Sequence, residues 1–164
     1  LDWPESPLVA LYFATEPLAE NDGLVCCLHP SRLNEPQVHL QPKTHYLGPL
    51  MPRAGVIQPL FAAAFTRPGP DTHEPFDALA FMPEQLDLRI LVQHSAFTVH
   101  TSARPLEDMA KVDPRFAGKP PFYSKFVVPS AQKSGLRRLL NLIGVNHSTL
   151  FPDLDSLARH LRGS

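Results

Sequence analysis

Hydrophobic and polar positions along the chain mark out a succession of short helices and strands. Ser6-Pro7 precedes the run Leu8-Val9-Ala10-Leu11-Tyr12-Phe13-Ala14. Serine favours an N-cap and proline the first helical position, so the pair predicts a helix start. The run is apolar on every face, which predicts a helix buried on most sides. Leu1-Asp2-Trp3 before it reads as a strand end or a tight entry loop. Gly23–Leu28 is a short continuous apolar run and predicts a buried strand. Residues 30–56 carry five prolines and read as ordered loop with one short helix near Arg32. Ile57–Phe65 reads as a short helix, and Thr66–Pro75 as a loop by its Pro, Gly and Asp content.

The second half repeats this alternation. Asp77–Met82 predicts a strand. Pro83 then opens a helix, with Glu84 in its first turn and Leu86, Ile90 and Gln93 on one face. Ala96–His100 alternates and predicts a strand, and Tyr123–Val128 predicts another. Ser130 is the expected cap of a helix carrying Leu136, Leu139, Leu140 and Ile143 as its core stripe. Gly144 ends that helix, and Arg137 and Arg138 fall away from the stripe. Leu154, Leu157, Ala158 and Leu161 form the stripe of a last helix. Its first turn is acidic (Asp153, Asp155), its last turn basic (Arg159, His160, Arg162), and Gly163 is its stop. The fold class is α+β: mixed short-strand sheets with packed helices and C-terminal helices. No repeat or second domain is visible, so residues 1–164 read as one domain.

Composition narrows the function classes. At 164 residues and 43% hydrophobic content, the chain can bury a core and is not of disordered composition. Fifteen Lys and Arg against sixteen Asp and Glu give a net charge of −1. That balance predicts no strong nucleic-acid binding and no attraction to an anionic membrane. No apolar run approaches the roughly 18 residues that span a bilayer. The two cysteines, Cys26 and Cys27, are adjacent, which rules out a disulfide framework and fits a reducing, cytoplasmic setting. The 19 prolines are scattered without repeat, so they punctuate the chain and do not make it low-complexity. The chain opens inside an apolar stretch, and the domain is expected to lack an N-terminal segment.

Several chemistries leave no trace. The eight glycines form no phosphate loop, and Gly-x-Ser-x-Gly is absent. His94 and His100 have no Cys or carboxylate at metal-ligand spacing, so no metal is expected. Cys26, inside an apolar strand, reads as packing before it reads as a nucleophile. Two places remain. Asp2, Trp3 and Ser6 flank a helix N-terminus, where backbone N–H groups collect positive potential. Trp3 can stack on a flat ring, and Asp2 can accept from a hydroxyl or an amide. Equally, Ser6 is a cap, Trp3 is core and Asp2 satisfies backbone donors. Arg89, Gln93 and His94 form the second place. Gln93 lies on an inward stripe and needs a partner there, either a ligand or the turn into the next strand. Arg89 suits a phosphate or a nearby carboxylate.

Three separated blocks share a resemblance. Leu1-Asp2-Trp3-x-x-Ser6-Pro7-Leu8-Val9-Ala10-Leu11-Tyr12-Phe13-Ala14 resembles the signature of the FRG domain, a bacterial and phage-associated family. Arg89-Ile90-x-x-Gln93-x-x-x-Phe97-Thr98-Val99-His100 resembles its second block. Leu142-Ile143-Gly144-Val145 and Thr149-Leu150-Phe151-Pro152-Asp153-Leu154-Asp155-x-Leu157-Ala158 resemble its closing block. Together they run the length of the chain. The naming Phe-Arg-Gly motif is absent, Pro4 stands where Thr or Ser is usual, and Ser95 where Gly is common. The resemblance implies an ADP-ribosyltransferase-like core that binds NAD as substrate, in a toxin or phage-defence setting. On that pattern Asp2, Trp3 and Ser6 belong to the motif framing the nicotinamide ribose. Gln93 belongs to the motif that orients the ribose, so Gln93 and Ser6 are the implied catalytic pair. Asp2, Trp3, Arg89 and His94 are the implied ligand-binding residues. Glutamine is no general base, so activity would rest on orientation and electrostatics. The rival is a non-enzymatic module that recognises a protein partner or a nucleotide and regulates an attached effector. Its recognition surface would be the proline-bearing residues 30–75.

Overall fold

The computed structural model describes residues 1–16, 20–36, 77–82 and 88–151, with the side chains at 88, 89 and 91 outside that description. The elements run β1 (Asp2–Pro4), α1 (Pro7–Thr15), β2 (Gly23–Leu28), α2 (Pro30–Asn34), β3 (Ala78–Phe81) and α3 (Leu88–Gln93). They continue with β4 (Ser95–His100), α4 (Leu106–Val112), a 3-10 turn (Pro114–Phe116), β5 (Tyr123–Val128), α5 (Ser130–Leu142) and α6 (His147–Leu150). One sheet has the order β1-β4-β3, the other pairs β2 with β5. β3 and β4 are antiparallel, with Ala78 opposite His100 and Phe81 opposite Phe97. At one end of the second sheet the His29 N–H donates to the Phe122 carbonyl (2.7 Å). At the other, the Ser130 N–H donates to Asp22 Oδ1 (2.8 Å), so these strands also run antiparallel. The architecture is α+β with short antiparallel sheets. Among the described residues no helix is long and apolar enough to cross a membrane.

The chain divides into two compact units. The first comprises Leu1–Asp2, Cys26–Glu84 and Ala96–Ser124. Its core gathers Leu33, Ala78, Leu79, Ala80, Leu106, Met109, Phe116 and Phe122. Phe116 and Phe122 meet at 4.5 Å between ring centroids, and Phe81 stacks on Phe97 at 5.8 Å. The Asn34 side chain is buried and pairs twice with one backbone residue. Its Nδ2 donates to the Ala80 carbonyl and its Oδ1 accepts from the Ala80 N–H, both at 2.8 Å. A charged cluster completes the unit. Arg104 Nη1 and Arg115 Nη2 both donate to Asp113 Oδ2 at 2.7 Å, and Arg115 also pairs with Asp77.

The second unit comprises Trp3–Val25, Gln85–Ser95 and Lys125–Ser164. Val9, Tyr12, Leu140 and Leu150 form its core, with Leu11, Phe13, Val145 and Phe151 packed around them. Phe13 meets Phe151 edge to face at 6.2 Å. Tyr12 Oη donates to Glu16 Oε1 (3.0 Å), and Arg137 donates to both from above the Tyr12 ring. Burial and the Glu16 carboxylate raise the Tyr12 phenol above its ordinary value.

The strands at Gly23–Leu28 and Tyr123–Val128 match the sequence reading to the residue, and the helix start at Pro7 does too. α1 is enclosed on most sides, as its apolar run predicts: Val9, Tyr12, Ala14 and Thr15 are buried, Ala10, Leu11 and Phe13 half-buried, and only Pro7 and Leu8 exposed. Other readings need correction. β2 is only partly buried, with Leu24 exposed; among the described residues it sits in a sheet of two strands. Pro129, not Ser130, is the N-cap of α5. Its inward face is Lys133, Leu136, Arg137 and Leu140, while Leu139 and Ile143 are exposed. Arg137 therefore faces α1, against the reading that placed it away from the stripe. The helices expected at 57–65 and 154–161, the opening of the helix at Pro83, and the loop at 66–75 lie outside the described residues.

Candidate functional site

Residues of the two candidate places meet at the start of α1: Trp3 and Ser6 lead into it, and the backbone of His94 is bonded to Glu5 between them. Ser6 is the N-cap of α1 in an extended conformation, and Pro7 occupies the first turn. The Ser6 carbonyl accepts the Ala10 N–H at 3.1 Å, the first hydrogen bond of the helix. The Ser6 side chain makes no cap hydrogen bond. Ser6 is half-buried at the helix entrance. Trp3, three residues before it, is also half-buried.

The turn from α3 into β4 is fastened to this entrance. The Glu5 N–H donates to the His94 carbonyl at 2.9 Å. His94 holds φ +47°, a left-handed conformation that costs a side-chain-bearing residue about 1–2 kcal/mol. That strain is sustained by the neighbours on both sides: Gln93 is anchored in the core and the His94 carbonyl is held by Glu5. The imidazole itself is exposed. Further along the same pair of strands, Leu1 and Thr98 exchange backbone hydrogen bonds of 2.8 and 2.9 Å.

Gln93 faces inward, as its helical spacing predicts, and is 3% exposed. Its Nε2 donates to the Leu150 carbonyl at 2.9 Å. Leu150 closes α6, a one-turn helix made possible by a capping box. The Asn146 side chain accepts the Thr149 N–H, and the Thr149 hydroxyl accepts the Asn146 N–H. The partner that the sequence left open, ligand or structure, is thus the backbone of α6 for the amide nitrogen.

Of the expected site residues, the structure brings Trp3, Ser6, Gln93 and His94 into the second unit. Asp2 is exposed and belongs to the first unit. The Arg89 side chain lies outside the described residues. Chemically, the residues at the entrance are a half-buried tryptophan, a half-buried serine at the helix start and an exposed histidine. The exposed Glu5 carboxylate at the same helix start makes this end a poor place for a phosphate and a better one for hydroxyl or amide donors. Among the described residues no group of three or more His, Cys, Asp or Glu could hold a metal ion.

Sequence reasoning passed over two polar clusters. The Tyr12–Glu16–Arg137 contact had a visible signal in the i, i+4 spacing of Tyr12 and Glu16. The Asp113 cluster had one in Asp113-Pro114, an acceptor directly before a helix-opening proline. Asp113 indeed caps the 3-10 turn, accepting the Arg115 N–H at 2.9 Å. A third pair of interest is Tyr123 and Cys26, where the phenol donates to the sulfur at 3.2 Å. Burial, and then this hydrogen bond, raise the Tyr123 phenol well above its ordinary value. No family model, curated protein or solved structure matches the chain.

Proposed function

We propose that this chain is the ligand-framing part of an FRG-type, ADP-ribosyltransferase-like domain of bacterial or phage-related origin that takes NAD as substrate. One observation carries the reading. Three sequence blocks that lie far apart in the chain are joined by two hydrogen bonds, Glu5 N–H to His94 and Gln93 to Leu150. They are the same three blocks on which the family resemblance rests. In this reading Trp3 stacks on the nicotinamide or adenine ring, and the Ser6 hydroxyl hydrogen-bonds a ribose hydroxyl. His94 rims the site, and Arg89 is the candidate for phosphate. Any transfer of ADP-ribose proceeds by orientation, since Gln93 cannot take a proton. A toxin or phage-defence role is the setting that goes with it.

A thermal melt of the chain with and without NAD tests this. Ligand at about 100 times its dissociation constant stabilises the native state by about 2.7 kcal/mol, which moves the midpoint by several degrees. The shift is expected to vanish in Trp3→Ala under conditions where the variant still melts cooperatively. A cooperative wild-type melt that NAD leaves unmoved would refute the reading. It would favour the second one, a non-enzymatic module recognising a protein or nucleotide. The specific observation on that side is the burial of Gln93, whose amide nitrogen holds α6 and not a ligand.

A further inference from the structure

Gln93 stands where the family resemblance implies a residue acting on the ribose, yet it is 3% exposed and donates to the buried end of α6. Turning the amide toward a ligand would strip the Leu150 carbonyl of this donor. Leu150 is itself 4% exposed, packed with Val9 and Tyr12 of α1. On the other side of Gln93 is the left-handed His94, whose carbonyl holds the Glu5 N–H directly before Ser6. The path α6, Gln93, His94, Glu5 is therefore continuous and lies within one compact unit.

We infer that Gln93 is a positioning residue: it transmits the docking of α6 to the entrance of α1, and it does not touch the ligand. What is positioned, the NAD-framing entrance, rests on the function proposed above; the mechanical link does not. Trp3 is the only tryptophan of the chain and sits two residues before Glu5, so its emission reports the entrance without any ligand.

Three variants test the link: Gln93→Met, Gln93→Glu and Asn146→Ala. Methionine keeps the side chain's length and loses the donor. Glutamate replaces the donor by an acceptor facing the Leu150 carbonyl. Asn146→Ala removes the capping box of α6 without altering Gln93. All three are expected to shift Trp3 emission and to lower amide-exchange protection at Leu150 and Phe151 by about tenfold. The melt shift produced by NAD should fall in parallel. Asn146→Ala keeps the question open to refutation if the Gln93 variants fail to fold. Loss of protection at Leu150 and Phe151 with Trp3 emission unchanged overturns the inference. So does a Gln93→Glu protein that keeps protection and emission but changes its NAD response, because that is the behaviour of a ligand-contacting group. If wild type gives no NAD response, the function proposed above fails, while emission and exchange still decide the link.

Discussion

Replacing Asp113 should unfold the first unit at markedly lower denaturant. Its side chain is 3% exposed and takes four hydrogen bonds from two arginines. Arg115 gives three of them, from its backbone N–H (2.9 Å), Nε (3.0 Å) and Nη2 (2.7 Å), and Arg104 gives one at 2.7 Å. The Arg115 bonds chiefly, against the opposing cost of burial, hold the carboxyl at about 2 where an ordinary one stands at 3.8. A carboxylate so displaced contributes about 2 kcal/mol to folding at neutral pH. Asp113→Ala removes that contribution and the cap of the 3-10 turn. Both arginines are about a third exposed and regain water, which keeps the loss toward the low end for a broken buried pair, about 3 kcal/mol. Urea unfolding followed by circular dichroism at pH 6 should show this loss as a lower midpoint at unchanged slope. The folded value is depressed, so the stabilisation is complete above 3.8 and lost as pH falls through about 2. The deficit of the variant should therefore shrink by about 2 kcal/mol between pH 5 and pH 2. A deficit under about 1 kcal/mol at pH 6, or one that stays constant down to pH 2, would refute the account.

Three further outcomes follow from single positions. A Cβ on Gly23 would lie 2.2 Å from the Ala14 carbonyl oxygen, so Gly23→Ala should cost about 2 kcal/mol or more in thermal denaturation. His94→Gly relieves the left-handed backbone and should raise stability by about 0.5–1 kcal/mol, measured by the same melt. Asn34→Ala leaves the buried N–H and carbonyl of Ala80 without these partners and should cost about 3 kcal/mol, with faster exchange of the Ala80 amide as a direct check.

Local signals made most of the described elements legible. Ser6-Pro7 announced α1, continuous or alternating apolar runs announced β2, β4 and β5, and Gly144 ended α5 as its positive φ requires. Burial was less legible, because it depends on what a run meets after folding. β2 is as apolar as a central strand but has one partner strand among the described residues, and Leu24 is exposed. On α5 the leucine stripe suggested one inward face, yet the face that meets α1 carries Arg137, drawn there by the Tyr12 ring and the Glu16 carboxylate. Within the candidate site the residue types were readable and their pairings were not. Nothing near Gln93 in sequence indicates that its partner lies at Leu150, and α6 itself rests on a capping box too short to stand out beside the longer helices.

The Asn34 amide also decides how the three-stranded sheet meets other chains. Among the described residues β3 is an outer strand, and strands in that position offer unpaired N–H and carbonyl groups to any extended segment that comes alongside. At Ala80 those two groups are already taken by a side chain that mimics a neighbouring strand. An incoming segment would have to break both bonds at once and expel a buried amide. The amide thus acts as a guard against edge-to-edge aggregation at this point of β3.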